Sequence, residues 1–259
     1  MHIVCLATCH NRREATCSSL ADLLGQELPD GVTLSVTIVD DGSSDGTADA
    51  VRSMFPSVTI VPGDGTLFWA GGMRYGWSTS VQHQSFDYLL AYNDDIRLSP
   101  GAVSELLVAM TLARSTCGPL AVVSGAFTDE AGGRITYGGY RRRKGWHRLR
   151  FDEVRPTGSP QRIHASNMNC ALISRETLSR TGFLADYFHH CGADIEYGLR
   201  VERVGGTVWL TGTAIGQCQD RPDPLKTANN LSLRDRLRIM TGPHGQSLSE
   251  RARFCREYG

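Results

Sequence analysis

A strand-like apolar run begins at His2-Ile3-Val4-Cys5-Leu6, and the pattern predicts a strand over residues 2–8. Further apolar or β-branched runs follow at 33–40, at Val58–Val61, at Phe86–Tyr92 and at Leu120–Val123. Between them lie stretches of helical character near 13–26, 45–54 and 70–83, and a helix opening at Ser99-Pro100, where Pro100 suits a first helical position after a Ser99 cap. Short apolar strands alternating with helices predict a parallel sheet joined by crossover helices. From about Arg134 the texture becomes short, glycine-broken and basic, and Gly138-Gly139-Tyr140-Arg141-Arg142-Arg143-Lys144-Gly145-Trp146 reads as a hairpin or a loop. A strand at Met168–Ser174, a short helix from Arg175, a helix over Asp194–Val204 and a strand at Thr207–Leu210 follow. Leu231–Tyr258 carries two arginine-rich helical patterns separated by Gly242-Pro243. In the first, Leu233, Leu237 and Met240 share one face while Arg234, Arg236 and Arg238 occupy the others. The tail is expected to pack on the domain, with peripheral docking at a membrane surface as the alternative. These boundaries predict one α/β domain over 1–215, divided near 125, and a helical extension over 216–259.

Composition adds mainly exclusions. With 259 residues, 41% of them hydrophobic and 21% charged, the chain is expected to be globular rather than disordered. Its 27 basic and 27 acidic residues balance, so no global field steers it toward nucleic acid. The eight cysteines form no C-x-x-C pair, which argues against a zinc ribbon or a thioredoxin-like site and for reduced thiols in the cytoplasm. Apolar runs such as Tyr88–Tyr92 fall far short of the roughly 18 residues of a membrane span. Neither a signal peptide nor a span is expected. No Walker-type loop or dinucleotide glycine fingerprint occurs, so ATPase and dehydrogenase readings drop out.

In a parallel α/β sheet, ligands bind beyond the carboxyl ends of the strands, so polar residues that close apolar runs are the candidates for chemistry. The first such place is Val39-Asp40-Asp41-Gly42-Ser43-Ser44-Asp45. There Asp41 could accept from a base N–H or a ribose hydroxyl, while Ser44 or Asp45 could cap the next helix. The second is Tyr92-Asn93-Asp94-Asp95, where alternation points Asn93 and Asp95 one way and Asp94 the other. Hard oxygen ligands at that spacing suit Mg²⁺ or Mn²⁺ bridging a diphosphate, and a cation would relieve the repulsion of adjacent carboxylates. The alternative is a solvated turn with a helix cap. The third is Asp194-Ile195-Glu196-Tyr197-Gly198-Leu199-Arg200, at the start of an amphipathic helix. The helix dipole alone could explain its carboxylates, but a metal-assisted transfer also needs a base, and Asp194 is the candidate.

Ala7-Thr8-Cys9-His10-Asn11-Arg12, Val39–Thr47, Asn93-Asp94-Asp95 and Asp194–Arg200, taken in this order, resemble glycosyltransferase family 2, the inverting enzymes of GT-A fold that include bacterial surface-polysaccharide members. The resemblance implies a nucleotide-binding half to about residue 125 and an acceptor-binding half after it. It also implies that Thr8 and Asp41 contact the nucleoside, that Asp95 is the direct metal ligand of a D-x-D counterpart, and that Asp194 is the inverting base. Glu196 would hold an acceptor or donor hydroxyl, and Asn11, Arg12, Asn93, Asp94 and Arg200 complete the candidate substrate and nucleotide contacts. Gly63–Arg74 looks like the loop entering a donor-side helix, with Asp64, Trp69 and Gly72 as its candidates. A UDP-, dTDP- or GDP-linked sugar donor, Mn²⁺ or Mg²⁺, and a glycan or polyprenyl-diphosphate-linked glycan acceptor are the implied partners. Asn93 stands where the motif usually has its first aspartate, which removes one charge and ties ion binding to the nucleotide. Gly216-Gln217-Cys218-Gln219-Asp220 stands where many relatives supply a histidine ligand.

His189-His190-Cys191 beside Asp194 suggests zinc, but adjacent histidines rarely chelate one ion, and a loop shaping the acceptor pocket is the preferred reading. Trp69, Trp77 and Trp146 could stack on a sugar, with Trp69 favoured by its glycine-rich setting. Arg141–Lys144, with Arg148 and Arg150, could hold the phosphates of a lipid-linked acceptor or form a solvated hairpin. The rival functions are a sugar-phosphate nucleotidyltransferase and a non-catalytic nucleotide-binding module. The first would carry a glycine-rich basic loop after strand one, where Thr8-Cys9-His10-Asn11-Arg12 has no glycine. The second has no use for a base at Asp194.

Overall fold

The computed structural model describes residues 1–145, 149–219, 232, 234–235 and 247–259. Trp146, Arg148, Asp220 and the predicted apolar face of Leu233, Leu237 and Met240 lie outside the described residues. The first half alternates as expected: β1 (His2–Cys9), α1 (Arg13–Leu24), β2 (Thr33–Asp40), α2 (Thr47–Met54), β3 (Thr59–Pro62), α3 (Phe68–Thr79) and β4 (Tyr88–Tyr92). Then come β5 (Arg97–Leu98), α4 (Ala102–Cys117), β6 (Ala121–Thr128) and β7 (Ile135–Tyr137). The basic stretch is a hairpin, β8 (Gly139–Arg142) and β9 (Phe151–Val154), which joins β11 (Ala165–Ser166) in a small second sheet ordered β11-β8-β9. The chain continues with β10 (Gln161–Ile163) before β11, then β12 (Cys170–Ser174), α5 (Arg175–Thr181), α6 (Ala193–Arg203), β13 (Thr207–Gln217) and α7 (Leu248–Tyr258).

The main sheet has the order β10-β13-β6-β12-β4-β1-β2-β3, with β5 on β13 and β7 on β6. Strands β3, β2, β1, β4, β6 and β13 run one way, while β12 runs antiparallel between β4 and β6. The chain adds β2 and β3 on one side of β1 and returns to place β4 on the other, so the β1/β4 border is a topological switch point, where α/β sheets open a ligand crevice. Thr8 and Cys9 end β1 there, and Asn93 follows β4.

Both faces of the sheet are covered, which is why its central strands are apolar without alternation. Ile3, Cys5 and Ala7 join Leu20 and Leu23 of α1 and Leu106 and Met110 of α4 in one core. Val4 and Leu6, pointing the other way, join Met73 of α3, Tyr197 of α6 and Phe254 of α7 in the second. Helix α3 approaches the sheet through Gly76, where a Cβ would stand 2.7 Å from Leu6 Cδ1 and 2.6 Å from Val39 Cγ2.

One local expectation changes and one holds. Pro100 is not a first helical residue: Ser99-Pro100-Gly101 makes a turn in which Ala102 N–H donates to the Ser99 carbonyl, and the helix starts after Gly101 in the left-handed region. The tail's second helical pattern does pack on the domain, through Phe254 and Tyr258. Among the described residues no helix is long and apolar enough to cross a membrane.

Candidate active site

A cavity of about 410 Å³ opens beyond the carboxyl ends of β1, β2 and β4, within the size range of small-ligand pockets. Thr8, Arg12, Asp41 and Trp69 line it on one side, and Asn93, Asp94 and Asp95 lie at the end of β4. Asp194, at the first turn of α6, closes it from the opposite half of the chain together with His190 and Cys191. Five other candidates are not part of the lining: Asn11, Asp64, Gly72, Glu196 and Arg200.

The end of β4 is built from charge. Asp94 is buried under α1, where it accepts from Arg12 Nη1 at 2.9 Å and from Thr16 Oγ1 at 3.3 Å. The same Arg12 nitrogen reaches Asp95 Oδ2 at 3.2 Å, so one guanidinium bridges both carboxylates. Burial pushes the Asp94 carboxyl up to about 6, opposed by Arg12 and reinforced by the Asp95 charge. Asp95 retains 20% exposure of its side chain at the cavity. Asn93 donates from Nδ2 to Asn169 Oδ1 at 3.1 Å, and its N–H donates to the Asn169 carbonyl at 2.8 Å, which stitches β4 to the start of β12.

Asp41 is more occupied than the sequence suggests. Its Oδ1 accepts from Gly65 N–H at 2.8 Å and its Oδ2 from Leu67 and Phe68 N–H at 3.0 Å each. A carboxylate offers about four acceptor positions, so backbone amides take most of them. The side chain therefore fixes the loop entering α3, including Phe68, a non-glycine residue held at φ 54 on the cavity wall. Asp41→Ala leaves three N–H groups without this acceptor and is expected to cost about 3 kcal/mol of stability. Urea unfolding measures it; a loss within the error of the method would show that water replaces the carboxylate freely.

Polar atoms remain for a ligand. Thr8 Oγ1, Trp69 Nε1 and Asn93 Oδ1 are buried without a protein partner, on residues that all line the cavity. Since buried polar groups are normally satisfied, these three mark where hydrogen bonds to a bound molecule are available. Oxygen donors at the end of β4, with Asp95 partly exposed, fit a hard divalent cation that takes one or two carboxylates and fills its shell from substrate. No cluster of three His, Cys, Asp or Glu side chains suited to a metal ion occurs among the described residues. In the segment where the resemblance implies a histidine ligand, Cys218 lines the cavity.

On the opposite wall, burial raises the Asp194 carboxyl above the ordinary carboxylate range. Ile195 N–H, donating at 2.8 Å, and Asn167 Nδ2, at 3.5 Å, hold the rise in check. Asn167 is in turn oriented by Tyr140 Oη, which donates to its Oδ1 at 2.8 Å. Sequence reasoning missed Asn167, although it sits in Asn167-Met168-Asn169 just before an apolar strand, the same polar-edge signal that marked Asn93.

The remaining candidates lie outside the cavity lining and make contacts within the protein. Asn11, at φ 51, accepts from Ser44 N–H at 2.7 Å and ties the β1 turn to the β2 turn. Asp64 accepts from Thr66 N–H and Oγ1 at an exposed turn. Gly72 lies under Thr8, where any Cβ would collide with Thr8 Cγ2. Glu196, expected to hold a substrate hydroxyl, is 1% exposed, and Arg200 grips it through Nε at 2.9 Å and Nη2 at 2.8 Å while Tyr258 Oη donates at 2.6 Å. Arg200 spends Nη1 on the Thr181 carbonyl at 2.6 Å. With its oxygens paired inside the protein, Glu196 anchors α7 to α6. Trp77 packs against Phe86 and Phe183, and Arg143 pairs with Asp152 on the exposed hairpin.

The mainly parallel sheet flanked by helices, with β12 inserted antiparallel, matches the GT-A fold of glycosyltransferases of known structure. The sequence matches the model of glycosyl transferase family 2 over residues 5–179, more than half of its length, and the chain belongs to that family. No curated protein matches it in sequence. Among solved structures it is similar to the mannosyltransferase PcManGT from Pyrobaculum calidifontis in complex with GDP-Man and Mn²⁺, at 18% identity and a TM-score of 0.57, covering 86% of this chain and 57% of that one. It is also similar to GalNAc-T7 with UDP, GalNAc and Mn²⁺, at 13% identity and a TM-score of 0.63, covering 100% and 55%. The complex of S. aureus TarS 1–349 with UDP-GlcNAc gives 10% identity and a TM-score of 0.61, covering 93% and 64%. The chain thus spans between 55% and 64% of the length of these three structures, and the likeness is one of fold.

Proposed function

We propose that this chain is an inverting glycosyltransferase that moves a sugar from a UDP-, dTDP- or GDP-linked donor to a hydroxyl of a glycan or polyprenyl-diphosphate-linked glycan, in bacterial cell-surface polysaccharide synthesis. The observation that carries the reading is a single cavity with Asp95 and Arg12 on one wall and Asp194 on the other. Family membership and neighbours solved with GDP-Man and Mn²⁺ or with UDP, GalNAc and Mn²⁺ support it.

In this mechanism Asp95 would hold Mn²⁺ or Mg²⁺, and the cation would supply positive charge toward the donor diphosphate. Thr8 Oγ1 and Trp69 Nε1 hydrogen-bond the donor, and Arg12 neutralises the Asp94–Asp95 pair beneath it. Asp194 accepts the proton of the acceptor hydroxyl as that oxygen attacks the anomeric carbon from the side opposite the diphosphate, and the bond from that carbon to the diphosphate oxygen breaks to release the nucleoside diphosphate. Ile195 N–H and Asn167 keep its carboxylate aimed.

Two results follow. Incubation with a panel of UDP-, dTDP- and GDP-sugars, Mn²⁺ and glycan or polyprenyl-linked acceptors should release nucleoside diphosphate from one donor class only; no release from any combination would sink the proposal. Because Asp194 works as a carboxylate and its pKa is raised, kcat/KM should fall on the acid side at a higher pH than an ordinary carboxylate dictates. An acid limb at the ordinary value would remove Asp194 from the rate-determining step.

A further inference from the structure

Helix α7 contributes no residue to the cavity, yet it grips the chain that does. Glu250, in its first turn, is 5% exposed and makes a capping box with Ser247: Ser247 Oγ accepts from Glu250 N–H at 3.2 Å, and Glu250 Oε2 accepts from Ser247 N–H at 2.8 Å. A capping box needs only one carboxylate oxygen. The other, Oε1, accepts from His189 N–H at 3.2 Å and pairs with His189 Nδ1 at 2.6 Å, 61 residues earlier in the chain. The His189 carbonyl in turn accepts from Ala70 N–H at 3.2 Å, next to Trp69 on the donor side. Arg74 of α3 donates to the Ala185 and Phe188 carbonyls at 2.9 and 2.7 Å, and Phe188 packs on Phe254 of α7. The segment before α6 is therefore held between α3 and α7, and the next residues, His190, Cys191 and Asp194, form the cavity wall.

We propose that Glu250 is a positioning residue for the acceptor-side wall: through His189 it fixes residues 187–194 and with them the placement of Asp194. The kinetic consequence rests on the glycosyltransferase reading above; the structural one does not. A purely stabilising α7 would affect the whole fold, whereas a positioning carboxylate acts on one segment.

Hydrogen exchange of the full chain, read by mass spectrometry in wild type, Glu250→Ala and His189→Ala, separates the two. In Glu250→Ala the amides of 187–195 should exchange about tenfold faster or more, the size expected for losing one charge-assisted hydrogen bond, while those of 2–9 and 88–92 stay as in wild type. His189→Ala leaves the capping box of α7 intact and should loosen the same segment in the same direction, which keeps the test valid where Glu250→Ala folds poorly. Alongside, donor-nucleotide affinity should stay within about twofold while acceptor KM rises or kcat falls by about tenfold. Unchanged exchange at 187–195 in His189→Ala, or uniform acceleration across the chain in both variants, would overturn the positioning role. Local loosening in a protein that transfers no sugar would uphold it and count against the function instead.

Discussion

Asp194→Asn is expected to leave nucleotide-sugar affinity within about twofold of wild type while lowering turnover by a factor on the order of 10²–10⁴, the contribution of a positioned general base. The amide nearly matches the carboxylate in shape and still accepts from Ile195 N–H, so the wall is preserved and only the proton acceptor is lost. Burial that raises the Asp194 pKa also makes it a stronger base than a solvated carboxylate, which is why its loss should be felt chiefly in kcat. Single-turnover kinetics with saturating donor checks this. Equal loss of binding and turnover would show that Asp194 holds the wall rather than taking the proton.

Asp95→Ala should weaken Mn²⁺-dependent nucleotide binding by about 100-fold or more, because changes one layer further out from a metal already cost 10–100-fold. Asn93 carries no charge and Asp94 is buried and held by Arg12 and Thr16, so neither should restore the lost affinity. Metal-independent nucleotide binding, carried by Thr8 and Trp69, should persist. Calorimetry with and without Mn²⁺ measures both, and unchanged metal-dependent affinity would take Asp95 out of the metal site.

Much of this site was legible because the sheet's grammar is local. Apolar runs at 2–8, 33–40 and 86–92 end on Thr8, Asp41 and Asn93-Asp94-Asp95, and the carboxyl ends of their strands do converge on one cavity. What was illegible depends on partners far away in sequence. Glu196 stands at a helix start in the sequence, and nothing there announces its bond from Tyr258, 62 residues later. Asp41 looked like a nucleoside ligand, but backbone amides of the loop entering α3, which no residue type announces, take most of its acceptor capacity. Gly72 is needed where helix α3 passes Thr8, a contact 64 residues apart that the sequence does not show. Strands as short as β5, β10 and β11 carry too few residues to show any period.

Calorimetric binding of UDP, dTDP, GDP and CMP to the wild-type chain, with and without Mn²⁺, tests whether the cavity is a metal-assisted nucleotide site. One nucleoside diphosphate should bind, more tightly with the metal than without. No binding of any nucleotide under either condition would contradict the claim and leave a fold that has lost its donor site.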